Sequence, residues 1–211
     1  MVLQDRAKAT REAIIAGAAA VFEEHGYGNA SLTQVSQAAK VTKGALYFHF
    51  QSKEDLARAV IEEQHRIVLA EGQAILAESR PALTTMILMC RAFGLKLIHE
   101  PVVRAGIRLT LEATAFGQPV RGPYEDWIDA MGHLAEQARE EKHIRSSVTA
   151  AAFARYLVAS FTGVQMVSGI LTDRRDVMQR IEEMWSILLP GIMHEDYQED
   201  PMALAALISA E

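Results

Sequence analysis

The chain has 211 residues, half of them hydrophobic and 23% charged, with a formal net charge of −6. That length suits one domain or a small domain joined to a larger one, and that balance excludes a disordered chain. The charge is uneven: residues 1–53 hold six Lys/Arg against four acids, a net of +2, which leaves −8 for the remainder and suits contact with phosphate at one end only.

Helical periodicity runs nearly throughout. Ile14, Ile15, Ala18, Val21 and Phe22 recur at three- and four-residue spacing, and Gly26 and Gly28 are expected to stop that first helix. Ser31-Leu-Thr-Gln34 reads as a capping box opening a helix buried through Leu32, Val35 and Ala39. After a break at Lys40-Val41, Thr42 caps a short helix to about Phe48, and Ser52 caps a longer one that starts with acids. That longer helix is expected over 53–78, with five further spans at 81–99, 101–115, 123–141, 147–171 and 173–189, punctuated by prolines, and a short helical tail from Pro201.

The lone Cys90 permits no intrachain disulfide, so it reads as a small buried hydrophobe in a reduced, cytoplasmic setting. No apolar run precedes Arg6, Lys8 and Arg11, which argues against a signal peptide. Val148–Leu171 carries Arg155, Gln165 and several hydroxyls, whereas a bilayer span needs about 20 nearly uninterrupted apolar residues. No membrane partner is expected. The fold class is therefore all-α: an N-terminal three-helix head over 1–53 and a helical bundle over 54–211.

Two short helices joined by a tight turn make a helix-turn-helix. Thr42 and Lys43 stand at the second helix's start, where free N–H groups and the helix dipole favour a phosphate or base edge. Gly44 and Ala45 keep that helix thin, while Tyr47 and His49 offer hydrogen-bonding tips. Leu46 and Phe50 point inward, and Lys53 adds a cation. Tyr47 also reads as a core aromatic with an exposed hydroxyl. The segment from Thr33 to Leu56, TQVSQAAKVTKGALYFHFQSKEDL, resembles the DNA-binding signature of TetR-family repressors. That resemblance implies a homodimer on double-stranded operator DNA, with Thr33, Gln34, Thr42, Lys43, Gly44, Tyr47, His49 and Lys53 as contacts. It implies no catalysis and no cofactor. Lys40 departs from the Gly that many members carry, at a cost on the order of 1 kcal/mol if the residue is left-handed.

The larger domain is read from its residues. Thr85 and Met89 on the 81–99 span, with Phe161, Thr162 and Gln165 on the 147–171 span, describe an adaptable wall for a mostly apolar ligand. Trp127 offers a flat surface and one N–H, and Gln64 is a further polar candidate. VVRAGIRLTLEAT (Val102 to Thr114) together with Trp127 is similar to γ-butyrolactone-type autoregulator receptors, a TetR-family branch, and implies a small lactone, butenolide or furan effector and control of antibiotic production. Val177, Ile181, Met184, Trp185 and Leu188 form a stripe expected to dimerise, Trp185 being open to an intrachain role as well.

Two other classes fit parts of the pattern. A TetR-like multidrug sensor would favour aromatic- and acid-lined pockets, whereas Trp127 stands among neutral polar residues. A di-metal helical-bundle enzyme is suggested by Glu62-Glu-Gln-His65 and Glu140-Glu-Lys-His143, with Glu112 as the one interior partner. The sequence offers no metal site beyond that pattern.

Overall fold

The computed structural model describes residues 2–113 and 119–210, with side chains from Asp5 onward. Among them are ten α-helices and no strand: α1 Val2–Asn29, α2 Leu32–Ala38, α3 Lys43–His49, α4 Lys53–Leu76, α5 Ala82–His99, α6 Pro101–Glu112, α7 Gly122–Glu140, α8 Ala150–Thr172, α9 Val177–Ile192 and α10 Pro201–Ala206. The all-α expectation holds. Residues 114 and 115, the end of the expected 101–115 span, lie outside the described residues.

The chain divides into two compact units. One comprises Met1–Leu69 and His99–Val120, the other Ala70–Ile98 and Arg121–Glu211. The 1–53 head lies wholly in the first, which extends through most of α4 and takes in α6. Its core gathers Ile14, Ala18 and Phe22 of α1, Val35, Leu46 and Phe50 of the head, Leu56 and Val60 of α4, and Ala105 and Leu109 of α6. α1 and α2 touch closely at Gly17, where a Cβ would stand 2.7 Å from the Ala39 nitrogen.

Both local caps form as their sequences require. Ser31 Oγ accepts from Gln34 N at 3.2 Å while Gln34 Oε1 accepts from Ser31 N at 2.9 Å, and Thr42 Oγ1 accepts from Ala45 N at 3.1 Å. α1 does not stop at Gly26: it breaks there and takes one more turn to Asn29. Gly26 has φ 71° and ψ 174°, a conformation open essentially to glycine alone.

In the second unit the buried sides of α5, α7, α8 and α9 share one core, including Met86, Ile87, Met131, Leu157, Ile181 and Trp185. α9 lies close on α5 at Gly94, where a Cβ would meet Met178 Sδ at 2.7 Å. The last expected span shifts. Asp173 and Arg174 are left-handed and end α8, so α9 opens at Val177 and runs through Pro190 to Ile192. Arg145 crosses onto the open carbonyls at the end of α9: Nε donates to Met193 O at 2.6 Å and Nη2 to Pro190 O at 3.2 Å.

Lys40 is left-handed, with φ 54°. Replacing it with glycine relieves strain of about 1 kcal/mol, so Lys40→Gly raises unfolding stability by about that amount. Gly26→Ala does the reverse: it forces a side chain into a glycine-only conformation, at about 2 kcal/mol, and against Arg108 Nη2 at 2.6 Å. Urea denaturation of the two variants checks both signs.

Candidate nucleic-acid interface and ligand site

α3 presents one buried side and one open side. Leu46 and the following Phe50 are buried, while Thr42, Lys43, Gly44, Tyr47 and Phe48 are exposed. A Cβ on Gly44 would meet only Thr42 Oγ1, at 3.9 Å, so nothing stands over that part of the helix. The open side therefore combines a capped, solvent-facing helix start, a cation and two aromatic rings. Thr33 is exposed at the start of α2, and Gln34 is half-buried with its carbonyl engaged in the cap. His49 is half-buried, its ring 5.1 Å from that of Phe48. Tyr47, at 55% exposure, is no core aromatic. Phe48 is the residue that sequence reasoning passed over, because it lacks a polar tip and sits among aromatics that do pack.

Lys53 departs from its expected role. Its ammonium donates to the carbonyls of Tyr27, Gly28 and Ala30 at 2.8, 3.2 and 3.1 Å and lies 4.5 Å from the centre of the Tyr27 ring. All three donors of an ammonium are thereby engaged, at the frayed end of α1 where carbonyls have no helical partner. The half-buried cation thereby braces the head.

The opposite side of the same break is held by α6. Glu112 Oε2 accepts from Tyr27 N at 2.8 Å, Arg108 Nε donates to Glu112 Oε1 at 2.8 Å, and Arg108 Nη1 donates to Glu23 O at 2.6 Å. Arg104 pairs with the Glu23 carboxylate. Glu112 was the interior carboxylate of the di-metal pattern; it holds a backbone amide and an arginine instead. Among the described residues no three His, Cys, Asp or Glu side chains come together as a metal site. His143 packs against the Tyr197 ring at 4.2 Å.

In the second unit, Trp127 of α7 joins Phe93 of α5 at 5.0 Å and Phe161 of α8 at 6.2 Å, with Phe93 and Phe161 5.1 Å apart. Phe93 meets Trp127 edge-on and the other two pairs are tilted, so the three rings make a polarisable aromatic wall. Thr162 Oγ1 donates to Val158 O at 2.8 Å. Tyr124 stands beside Thr162; burial pushes its hydroxyl up, and a hydrogen bond with Thr162 pulls the other way. Gln165 is 3% exposed, and its Oε1 is buried with no hydrogen-bond partner. An orphaned buried carbonyl costs about 1–3 kcal/mol until a donor arrives. Phe93 and Tyr124 were absent from the expected set because each sits on a span whose apolar pattern reads as ordinary core.

The other expected ligand residues are placed differently. Thr85 is buried, and its hydroxyl turns back to Pro81 O at 3.1 Å, closing the first turn of α5. Met89 is buried, and its Cε stands 3.0 Å from where a Cβ on Gly72 would lie. Gln64 belongs to the first unit. Its Cβ and Cγ pack on Gly106, and its Oε1 is buried without a partner.

The expected dimer stripe is a correction. Val177, Ile181, Met184 and Trp185 are buried within one chain, Trp185 completely, and Leu188 is half-buried. Trp185 packs on Phe153 at 6.4 Å and beside Cys90, whose thiol burial pushes up to about 12. The most hydrophobic face of α9 went to the chain's own core, since covering a full indole stabilises more than any smaller contact. The exposed apolar residues lie elsewhere on these two helices: Tyr156, Met166, Val167, Ile170 and Leu171 on α8, and Ile187 on α9.

Residues 14–60 match the family model described as bacterial regulatory proteins of the tetR family, and 80–194 match the tetracyclin repressor-like C-terminal domain. The chain is 39% identical to the A-factor receptor protein of Streptomyces griseus over 194 residues, 92% of this chain and 67% of that one. A solved γ-butyrolactone receptor, an ArpA-like protein, superposes with a TM-score of 0.82 at 30% identity, covering 96% of this chain and 98% of its own. CprB of Streptomyces coelicolor, a TetR family protein solved in complex with its biological operator sequence, gives 0.83 at 32% identity over 98% and 99% of the two chains.

The two lysines of the head should separate cleanly. Lys53→Met removes three charge-assisted hydrogen bonds to carbonyls and lowers unfolding stability by about 2 kcal/mol. Lys43→Met, on the open side of α3, stays within about 0.5 kcal/mol of the parent. Equal stability of both variants in urea would refute the bracing role of Lys53.

Proposed function

The chain belongs to the TetR family of bacterial regulatory proteins, and from that premise we propose a transcriptional repressor that holds operator DNA as a homodimer and releases it when a small apolar signal binds. The observation that carries the reading is the open side of α3, where a capped helix start, Lys43 and Gly44 face solvent with no neighbour. Each α3 enters a major groove, with half-sites about one helical turn apart or a close multiple. Thr42 and Lys43 meet phosphate or base edges, and Thr33, Gln34, Gly44, Tyr47 and His49 complete the contact. Lys53 is set aside as a brace.

The signal is of γ-butyrolactone type, a lactone, butenolide or furan. Support comes from the Trp127–Phe93–Phe161 wall, which offers aromatic surface to a neutral apolar ring, and from Gln165, whose buried carbonyl lacks a donor that a signal hydroxyl supplies. Relatives that bear the names A-factor receptor and γ-butyrolactone receptor support the same class. To reverse occupancy from 1:99 to 99:1, the signal must prefer the released state by about 5.5 kcal/mol.

Pairing of two copies runs through α8. Its exposed positions Ala152, Tyr156, Ala159, Met166 and Ile170, with half-buried Gly163 among them, follow alternating steps of four and three residues. That is the seam of a helix packed against a second helix, and small residues in it let the backbones approach. Ile187 of α9 is the exposed apolar residue beside it in a four-helix arrangement with the partner copy.

Two outcomes test this. In gel shifts with duplexes from its own upstream region, the protein binds in preference to random DNA, and a butyrolactone, butenolide or furan releases it; Trp127→Ala keeps the binding and loses the release. Lys43→Ala weakens binding and flattens its salt dependence, by about 0.9 in slope for each phosphate that the variant no longer neutralises. No preference for upstream over random duplexes sinks the repressor. Separately, Ile170→Glu places two like charges in the seam and converts the dimer to monomer by analytical ultracentrifugation; an unchanged dimer places the interface elsewhere.

A further inference from the structure

We infer that Phe48 is a specificity-determining residue whose ring reads the 5-methyl group of one thymine in each half-site; this rests on the operator-binding reading above. Phe48 is 80% exposed, more than any other large apolar side chain among the described residues. Its ring meets that of His49 edge-on at 5.1 Å. One turn earlier on the helix stands Gly44, which offers the ring no shelf, and the inward positions are filled by Leu46 and Phe50. The ring therefore stands clear of the chain's own core, across the exposed arc of α3 from Lys43.

The chemistry narrows what it meets there. A phenyl ring has no donor and no acceptor, so it neither bonds phosphate nor matches a polar base edge. The apolar group that a natural base pair projects into the major groove is the thymine 5-methyl. Polar residues elsewhere on the exposed arc of α3, such as Lys43 and Tyr47, fix the helix on the duplex, and the ring then adds discrimination of T from C at a position that makes no hydrogen bond to it. A cytosine carrying a 5-methyl group presents the same apolar contact, which allows the methyl to be tested apart from the rest of thymine. A second copy of the chain is the other conceivable cover for an exposed ring, but the α8 seam already supplies the face for that.

The test starts from a duplex selected out of a random pool by the wild-type protein. Binding is then measured by fluorescence anisotropy with deoxyuridine replacing each thymine of a half-site in turn. At one position the wild type weakens about fourfold, the effect of losing one buried methyl, and about fifteenfold when both half-sites are changed. Cytosine and 5-methylcytosine at that position differ by about the same factor. Phe48→Ala binds the thymine and deoxyuridine duplexes equally, Phe48→Leu keeps a reduced difference, and both variants melt with the wild type because the ring supports no core. A Phe48→Ala protein as sensitive to every methyl as the wild type, or a wild type indifferent to all of them, overturns the assignment while leaving operator binding intact. A wild type that enriches no sequence overturns the repressor reading itself.

Discussion

The break in α1 at Gly26 is the constraint on which the first unit depends. A helix that ran straight through residue 26 would carry the chain past the point where α2 must turn back onto Gly17. The glycine-only conformation redirects it, and leaves a frayed, partly buried turn whose amide and carbonyls need partners. Two distant segments supply them. Lys53, at the start of α4, takes the carbonyls of Tyr27, Gly28 and Ala30, and Glu112, at the end of α6, takes the Tyr27 amide. A positive group meets the acceptors and a negative group meets the donor. The position of α2 and α3 follows from that pairing, and with it the exposure of the α3 surface.

The second unit shows how one amphipathic helix divides its apolar surface. α9 has a broad hydrophobic stripe that is largely buried, whereas α8 has a more diffuse one with apolar residues on its outer side as well. The larger side chains, Trp185, Ile181, Phe153 and Leu157, are internal. What α8 leaves outside is a thinner row of small residues broken by Tyr156, Met166 and Ile170. A chain core and a helix-to-helix seam thus differ in kind: the core selects volume, and the seam selects close approach.

That division explains what the sequence revealed and what it concealed. The caps at Ser31 and Thr42 were legible because capping is local: partner residues stand within three positions and need no tertiary fold. Lys40 came to notice through the resemblance, whose members often carry Gly at that place, and the structure finds it left-handed. The bracing contact of Lys53 was hidden because an ammonium suits a phosphate and a helix carbonyl equally, and Tyr27 is 26 residues away. Glu112 suffered similarly. Seen in sequence it is a carboxylate on an apolar helix; in space it is the acceptor for an amide 85 residues distant. The Val177–Leu188 stripe was the strongest amphipathic signal in its region, and periodicity reports burial without saying which chain does the burying. At the aromatic wall, Trp127 and Phe161 were readable as rings, whereas Phe93 joined them only once α5 and α7 were packed.

The strength of the α6 clamp bears on its use. Its side chains are 20–40% exposed, so each ion pair contributes at most about 1 kcal/mol in screened surroundings. The Glu112–Tyr27 and Arg108–Glu23 hydrogen bonds to backbone add direction more than depth. A clamp of this kind fixes the head's geometry while remaining within reach of a ligand's binding energy. A sealed hydrophobic joint of the same extent would not. α6 is continuous in sequence with α5, which carries Phe93 of the aromatic wall, and only Glu100 separates the two helices. A chain whose task is to hold DNA firmly and then let go needs its head placed by contacts that are specific in geometry and modest in energy. Charge-assisted hydrogen bonds at half-exposed positions meet both conditions, and they lie at the one point of α1 where the backbone has already been broken.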